Sequence, residues 1–175
     1  MSHSGLPPSA LPPSGLPWRL NVGAVLFARD GRVLVARRAD LPNAEGAAGG
    51  WQLPQGGIDP GEDPRTAVLR ELAEEIGTDR AEIIGEHPEW LEYDFPPGLG
   101  GRLPKRFRGQ RQRWFALRFL GEDADIRLDA DPHVEFDAWR WVPLAEVPAL
   151  AVPFKRPIYA TVAAAFARFA APRTS

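Results

Sequence analysis

Hydrophobic and polar positions change their period several times along the chain. Apolar residues dominate Asn21 to Ala28, and Arg32 to Arg38 alternates apolar with polar. Such runs favour strands. Asp30-Gly31 between them is a hairpin signal, so two antiparallel strands are predicted. Trp51 to Pro54 predicts a short strand entering a loop from Gln55 to Pro64. Val68, Leu72 and Ile76 then recur at helical spacing, with Leu69 beside them. Asp63 suits the cap of that helix, Pro64 its first turn and Gly77 its end. Short strands are predicted near Ile83 and Trp90. Longer ones are predicted over Arg113 to Leu120 and Glu135 to Val142, and an amphipathic helix over Pro157 to Ala170. The order lacks regular βαβ alternation, which argues for an α+β fold or a mixed-sheet α/β/α sandwich.

Composition sets the outer limits. The chain has 175 residues, enough for one domain with a real core. Residues 1–17 are almost wholly Pro, Ser, Gly and Leu and read as a disordered tail. The folded domain is expected over 18–170, with a flexible end at 171–175. Leu41 to Gly50 and Pro96 to Pro104 read as loops. The absence of cysteine excludes a disulfide framework and thiolate chemistry. No apolar run is long enough to span a bilayer, and the N-terminus lacks the pattern of a secretory signal. A cytoplasmic protein with no membrane association is expected.

Charge is distributed unevenly beneath a net value of -2. Glu71, Glu74 and Glu75 fall within one arc of the predicted helix, where like charges repel. A solvated acidic face is the ordinary explanation of such a run. Three carboxylates on one helical face also suit a hard divalent cation, which prefers oxygen ligands. The upstream loop favours the second explanation. Gly56, Glu62, Arg70-Glu71, Glu74-Glu75 and Gly77 fit the pattern G-x5-E-x7-R-E-U-x-E-E-x-G-U, where U is bulky and aliphatic. Leu72 fills the first U position and Thr78 departs from the last.

This pattern resembles the signature of the Nudix hydrolases. The resemblance implies a Nudix-type α/β/α sandwich with a mixed sheet. It also implies a Mg²⁺-dependent attack of water on a diphosphate, with Mn²⁺ or Zn²⁺ as substitutes. Glu71, Glu74 and Glu75 are implied as metal ligands. Glu71, Glu75 and Arg70 are implied in catalysis, Glu62 in support, and Gly56 and Gly57 in the phosphate-facing loop. The blocks "WQLPQGGIDPGE", "LPKRF", "GQRQRWF", "EFDAWRWV" and "PFKRPIY" occur in that order. Together they resemble the branch of the family that acts on 5′-triphosphorylated RNA. That likeness implies removal of pyrophosphate to leave a 5′-monophosphate, a step that promotes RNA decay. It adds Glu135 as a further metal and catalytic carboxylate. Arg19, Arg38, Phe154 and Lys155 are added as RNA contacts, with Phe154 and Arg38 on opposite faces of a base. A dinucleoside polyphosphate is the alternative substrate, and a non-catalytic nucleotide or RNA sensor the reading from another class.

Pro96 to Gly121 carries no acidic residue but includes Arg102, Lys105, Arg106, Arg108, Arg111, Arg113 and Arg118. A basic strip of this kind suits a polyanion, although a solvated basic loop explains the same composition. His3, His87 and His133 have no metal-binding spacing and are expected in surface or loop positions. Trp139 and Trp141 are expected in the core, and Trp51 either there or at the site.

Overall fold

The computed structural model describes residues 15–39, 50–96 and 106–171. The N-terminal repeat through residue 14, most of the Leu41 to Gly50 loop and the centre of the Pro96 to Pro104 loop lie outside them. So do Arg102, Lys105 and His3.

Strands β1 (Trp18–Phe27) and β2 (Val33–Arg38) are joined by the expected turn at Asp30-Gly31. They pair only where Phe27 faces Val33. Further along β1, its edge at Asn21 to Gly23 is taken by β4 (Gln55–Gly57). Sequence periodicity assigned that segment to a loop, because a three-residue strand containing two glycines carries no apolar signal. β3 (Trp51–Gln52) and β8 (Phe136–Val142) flank β2 on opposite sides. On the other side, β1 runs parallel to β7 (Gly109–Phe119) in unbroken register from Trp18↔Gly109 to Phe27↔Arg118. β5 (Ala81–Glu86) and β6 (Leu91–Asp94) pair with β7 antiparallel. The result is one mixed, eight-stranded sheet.

Strand alternation gives this sheet two apolar faces. Val22, Ala24, Leu26, Leu34, Phe115 and Leu117 face α1 (Pro64–Ile76), which contributes Val68, Leu72 and Ile76. Val25, Phe27, Val35 and Trp114 face the other layer, where α3 (Arg156–Phe166) contributes Tyr159, Val162 and Phe166. The short α2 (Val147–Leu150) adds Val147 to this layer. Each fully buried aliphatic or aromatic side chain contributes about 1.5–3 kcal/mol, so both helices are held chiefly by their apolar faces. The architecture is the expected α+β sandwich.

The ends of α1 follow from its sequence. The Asp63 carboxylate accepts from the backbone N–H of Arg65 at 2.8 Å, and Pro64 occupies the first turn. Gly77 takes φ 75°, a left-handed conformation that costs glycine little. Thr78 is buried, and its hydroxyl accepts from Arg80 N–H at 3.1 Å. Two sequence-based expectations change here. The last helix is shorter than predicted, passing into a 3₁₀ turn at Ala167–Phe169. His87 is buried rather than superficial, with its Nδ1 accepting from Glu89 N–H at 3.2 Å.

Candidate active site

β4 lies against α1, and this contact shapes the carboxylate cluster. On a helical wheel alone, Glu71, Glu74 and Glu75 share an outward arc. In the fold only Glu74 is substantially open to solvent, with 46% of its side chain exposed. The Glu71 carboxylate packs on the α-carbon of Gly56, where any Cβ would collide with it. Glu75 is 4% exposed, a correction to the outward-facing helix face. Its Oε2 accepts from Gln55 N–H at 3.3 Å, while Oε1 is buried with no hydrogen-bond partner.

Electrostatics reflect this crowding. Burial, followed by the charges of Glu135 and Glu71, pushes Glu75 well above the usual carboxylate range. Glu135, immediately before β8, lies against Glu75. Burial raises Glu71 to about 7, against the opposing pull of Arg70. Glu62 goes the other way, held down to about 2 by hydrogen bonds from Arg70 and from the Asp59 backbone.

Arg70 organises this side of the centre. Its Nε and Nη2 donate to the two Glu62 oxygens at 2.7 Å each, a bidentate pair. Nη2 also donates to the Gly57 carbonyl at 2.9 Å, and Nη1 to Glu71 at 3.0 Å and Glu74 at 3.2 Å. The i+4 contact with Glu74 was legible in the sequence. The stronger pairing joins the helix to the preceding loop. Among the described residues, no three acidic or histidine side chains are gathered so as to hold an ion as they stand. The donor set nevertheless fits a hard divalent cation. Glu75 Oε1 is buried without a donor, and Glu71, Glu75 and Glu135 repel one another.

A second group lies beside the carboxylates. The Phe154 ring, half-buried in the 3₁₀ turn Pro153–Lys155, packs on Tyr93 with centroids 5.7 Å apart. Arg19 and Arg38 both act electrostatically on Tyr93. Arg38 also faces Lys155. Arg19 lies over Gly57, where a methyl group would come within 2.9 Å of its guanidinium. Lys155 is only 7% exposed and its Nζ donates to Gln52 Oε1 at 3.2 Å. Burial pushes the Lys155 ammonium down to about 8, helped by the Arg38 charge and opposed by Glu75. Arg19, Arg38, Phe154 and Lys155 are thus drawn from separate segments to one recess beside Glu75.

Tyr93 and a set of buried amides also belong to this recess, and the sequence did not single them out. Tyr93 sits on a four-residue strand with little apolar pattern. Asn21, Gln110 and Gln112 are 1%, 5% and 1% exposed. A usable signal was present: polar residues at inward positions of otherwise apolar strands mark a buried polar network.

The basic stretch is not the continuous strip its composition suggested. Arg108 pairs with Asp94 at 2.7 Å, Arg111 with Glu92 at 2.7 Å and Arg113 with Glu86 at 2.6 Å. Arg108 and Arg113 also stack over Trp18 and Trp90. Antiparallel pairing places the β6 acids opposite the β7 cations, so much of this charge is neutralised locally. Arg118 lies near the far end of β7 from the recess. Trp139 and Trp141 contact each other edge to face and are partly buried against the α1 face. Trp51 packs partly in the opposite core and carries Arg140 over its ring at 4.4 Å.

Fold and carboxylate centre together define a Nudix protein. The NUDIX domain family matches residues 17–162, and the chain belongs to it. Among curated relatives, it is 66% identical over 155 residues to the RNA pyrophosphohydrolase of Acidiphilium cryptum, covering 89% of this chain and 93% of that one. The RNA pyrophosphohydrolase of Rhodospirillum rubrum is 55% identical over 168 residues, covering 95% and 98%. Among solved structures, the E. coli dihydroneopterin triphosphate pyrophosphohydrolase aligns with TM-score 0.64 at 22% identity, over 85% of this chain and 99% of that one. A C. elegans Ap4A hydrolase aligns with TM-score 0.57 at 19% identity, over 85% and 98%. At these identities the structural likenesses concern the fold. Among the described residues, no helix is long and apolar enough to cross a membrane.

Proposed function

We propose that this protein is a Mg²⁺-dependent hydrolase that removes pyrophosphate from the 5′-triphosphate end of RNA. The carrying observation is the joining of the carboxylate centre to the aromatic and cationic recess through one residue. Gln55 N–H holds Glu75, while the Gln55 side chain reaches the Tyr93 hydroxyl beside Phe154. The 66% identity to an RNA pyrophosphohydrolase supports the same substrate.

In this reading Glu71, Glu74, Glu75 and Glu135 hold the cation, with Mn²⁺ or Zn²⁺ as substitutes. Rotation of Glu71 and Glu74 away from Arg70 gathers the set. Bound there, a divalent cation neutralises charge on phosphate oxygens and makes a coordinated water more acidic. Arg70 keeps Glu62 and the loop backbone in register with the helix. Arg19, seated over Gly57, faces the phosphates from the opposite side. Phe154 and Arg38 hold the first base between an aromatic face and a guanidinium plane, and the Lys155 ammonium adds positive charge at the base of the recess. A carboxylate of the set takes the proton from the attacking water. The new P–O bond forms as the P–O–P bridge breaks, and pyrophosphate departs from a 5′-monophosphate end.

Incubation with 5′-triphosphorylated RNA and Mg²⁺ tests this directly. Monophosphorylated ends and free pyrophosphate are expected in a 1:1 ratio. Unchanged RNA, with rapid cleavage of a dinucleoside tetraphosphate by the same preparation, would refute the RNA assignment.

A further inference from the structure

Gln112 lies one strand away from the carboxylates and makes no contact with them, yet it sits at the centre of the buried amides. Its Nε2 donates to Asn21 Oδ1 at 2.8 Å, to Gln55 Oε1 at 2.9 Å and to Gln110 Oε1 at 3.2 Å. Its Oε1 accepts from the indole N–H of Trp114 at 3.2 Å. An indole N–H can only donate, so the side of Gln112 that meets Trp114 has to be its oxygen. The NH₂ end is then forced toward the other three amides, each of which must answer with its own oxygen. One indole therefore sets the direction of four amide groups.

The consequence reaches the recess. Gln110 Oε1 is taken by Gln112 and by the Tyr93 hydroxyl, which donates to it at 2.7 Å. With its oxygen on Gln112, Gln55 turns its NH₂ end the other way, where it supports the Tyr93 hydroxyl. Acceptors point inward to Gln112, and donors point outward toward the place where phosphate oxygens arrive. Burial fixes this choice, because a reversed amide would set oxygen against oxygen with no water nearby to intervene.

We infer that Gln112, locked by Trp114, is a positioning residue that gives the polyphosphate-binding recess its donor polarity. The inference rests on the reading that a polyphosphate end occupies this recess. The main chain of Gln55 is held separately, by its ladder to Gly23. Only the side-chain direction of Gln55 depends on Gln112, so the carboxylate centre should be left undisturbed.

The test uses Gln112→Met and Gln112→Glu in the full chain. Methionine removes both polar ends at similar volume. Glutamate keeps the acceptor for Trp114 and replaces the donor with a second oxygen, which turns the neighbouring amides round. KM and kcat are measured on whichever substrate the unaltered protein turns over, triphosphorylated RNA or a dinucleoside tetraphosphate. A wrong RNA assignment then shows in the unaltered protein alone, while the Gln112 comparison still stands. KM should rise roughly 10-fold for Gln112→Met and further for Gln112→Glu, with kcat changed less than about 3-fold. The Mn²⁺ dissociation constant, read by electron paramagnetic resonance, should also change less than about 3-fold. If Gln112→Glu does not fold, Gln112→Met decides alone. A KM within about 2-fold of the unaltered protein, or a loss confined to kcat or to Mn²⁺ binding, would overturn the inference.

Discussion

Glu75→Gln separates what this carboxylate does for the fold from what it does for chemistry. The side chain is 4% exposed, accepts one weak hydrogen bond from Gln55 N–H at 3.3 Å and leaves Oε1 without a donor. It also faces Glu71 and Glu135. A glutamine of the same shape keeps the acceptor for Gln55 and places an NH₂ group toward the opposing carboxylates. Relief of one strained buried carboxylate in the metal-free protein is worth about 1–2 kcal/mol. That corresponds to a rise of roughly 2–6 °C in Tm for a chain of this length. Saturating Mg²⁺ should act in the opposite sense. At about 100 times its Kd, a ligand bound only by the folded state adds about 2.7 kcal/mol, and the variant should lose most of that gain. Paired thermal melts in EDTA and in Mg²⁺ would show the curves crossing. Turnover should fall by at least roughly 100-fold, since a ligand matters no less than the groups that support it. A variant that melts below the unaltered protein in EDTA, or that keeps the full Mg²⁺-dependent rise, would refute the reasoning.

Other outcomes follow from the same geometry. In EDTA, Glu71 has a folded pKa raised from 4.5 to about 7, so the folded state binds more protons than the unfolded one across that window. Stability should therefore fall as pH rises from about 4.5 to 7, seen as a declining urea midpoint, and Glu71→Gln should flatten the slope. Glu62 acts in a separate window: lowered to about 2 by Arg70, its contribution should be lost as pH falls from 4.5 toward 2. Gly56→Ala forces a methyl group into the Glu71 carboxylate. It should cut turnover by roughly 10-fold or more while Tm moves only a few degrees, because the obstructed group is a site residue and not core. Phe154→Ala should raise the KM for triphosphorylated RNA roughly 10-fold through lost stacking, with Mn²⁺ affinity unchanged. Equal losses of both would make Phe154 purely structural.

Local signals carried much of this protein in the linear chain. The 3.6-residue spacing of Val68, Leu72 and Ile76, the cap at Asp63 and the left-handed Gly77 all depend on neighbours within a few positions. Helix α1 was readable for that reason. The spacing from Gly56 to Gly77 was readable too, because a metal-binding helix and the loop before it are contiguous. The sequence alone thus determined two strands of a hairpin, the carboxylate helix and the chemistry those carboxylates suit.

Tertiary structure decided which of those carboxylates are buried and what faces them. A helical wheel shows an angle but not what lies against it, and the three residues of β4 convert Glu75 from an outward side chain to an enclosed one. The basic stretch had the same fault in reverse. Arg108, Arg111 and Arg113 look like a phosphate track until β6 places Asp94, Glu92 and Glu86 against them. The recess around Tyr93, Gln55, Gln112 and Phe154 draws on separate strands and a 3₁₀ turn, with Asn21 and Gln112 91 residues apart. Periodicity reports how one element meets water, whereas burial and pairing depend on partners distant in the chain, and only folding brings those together.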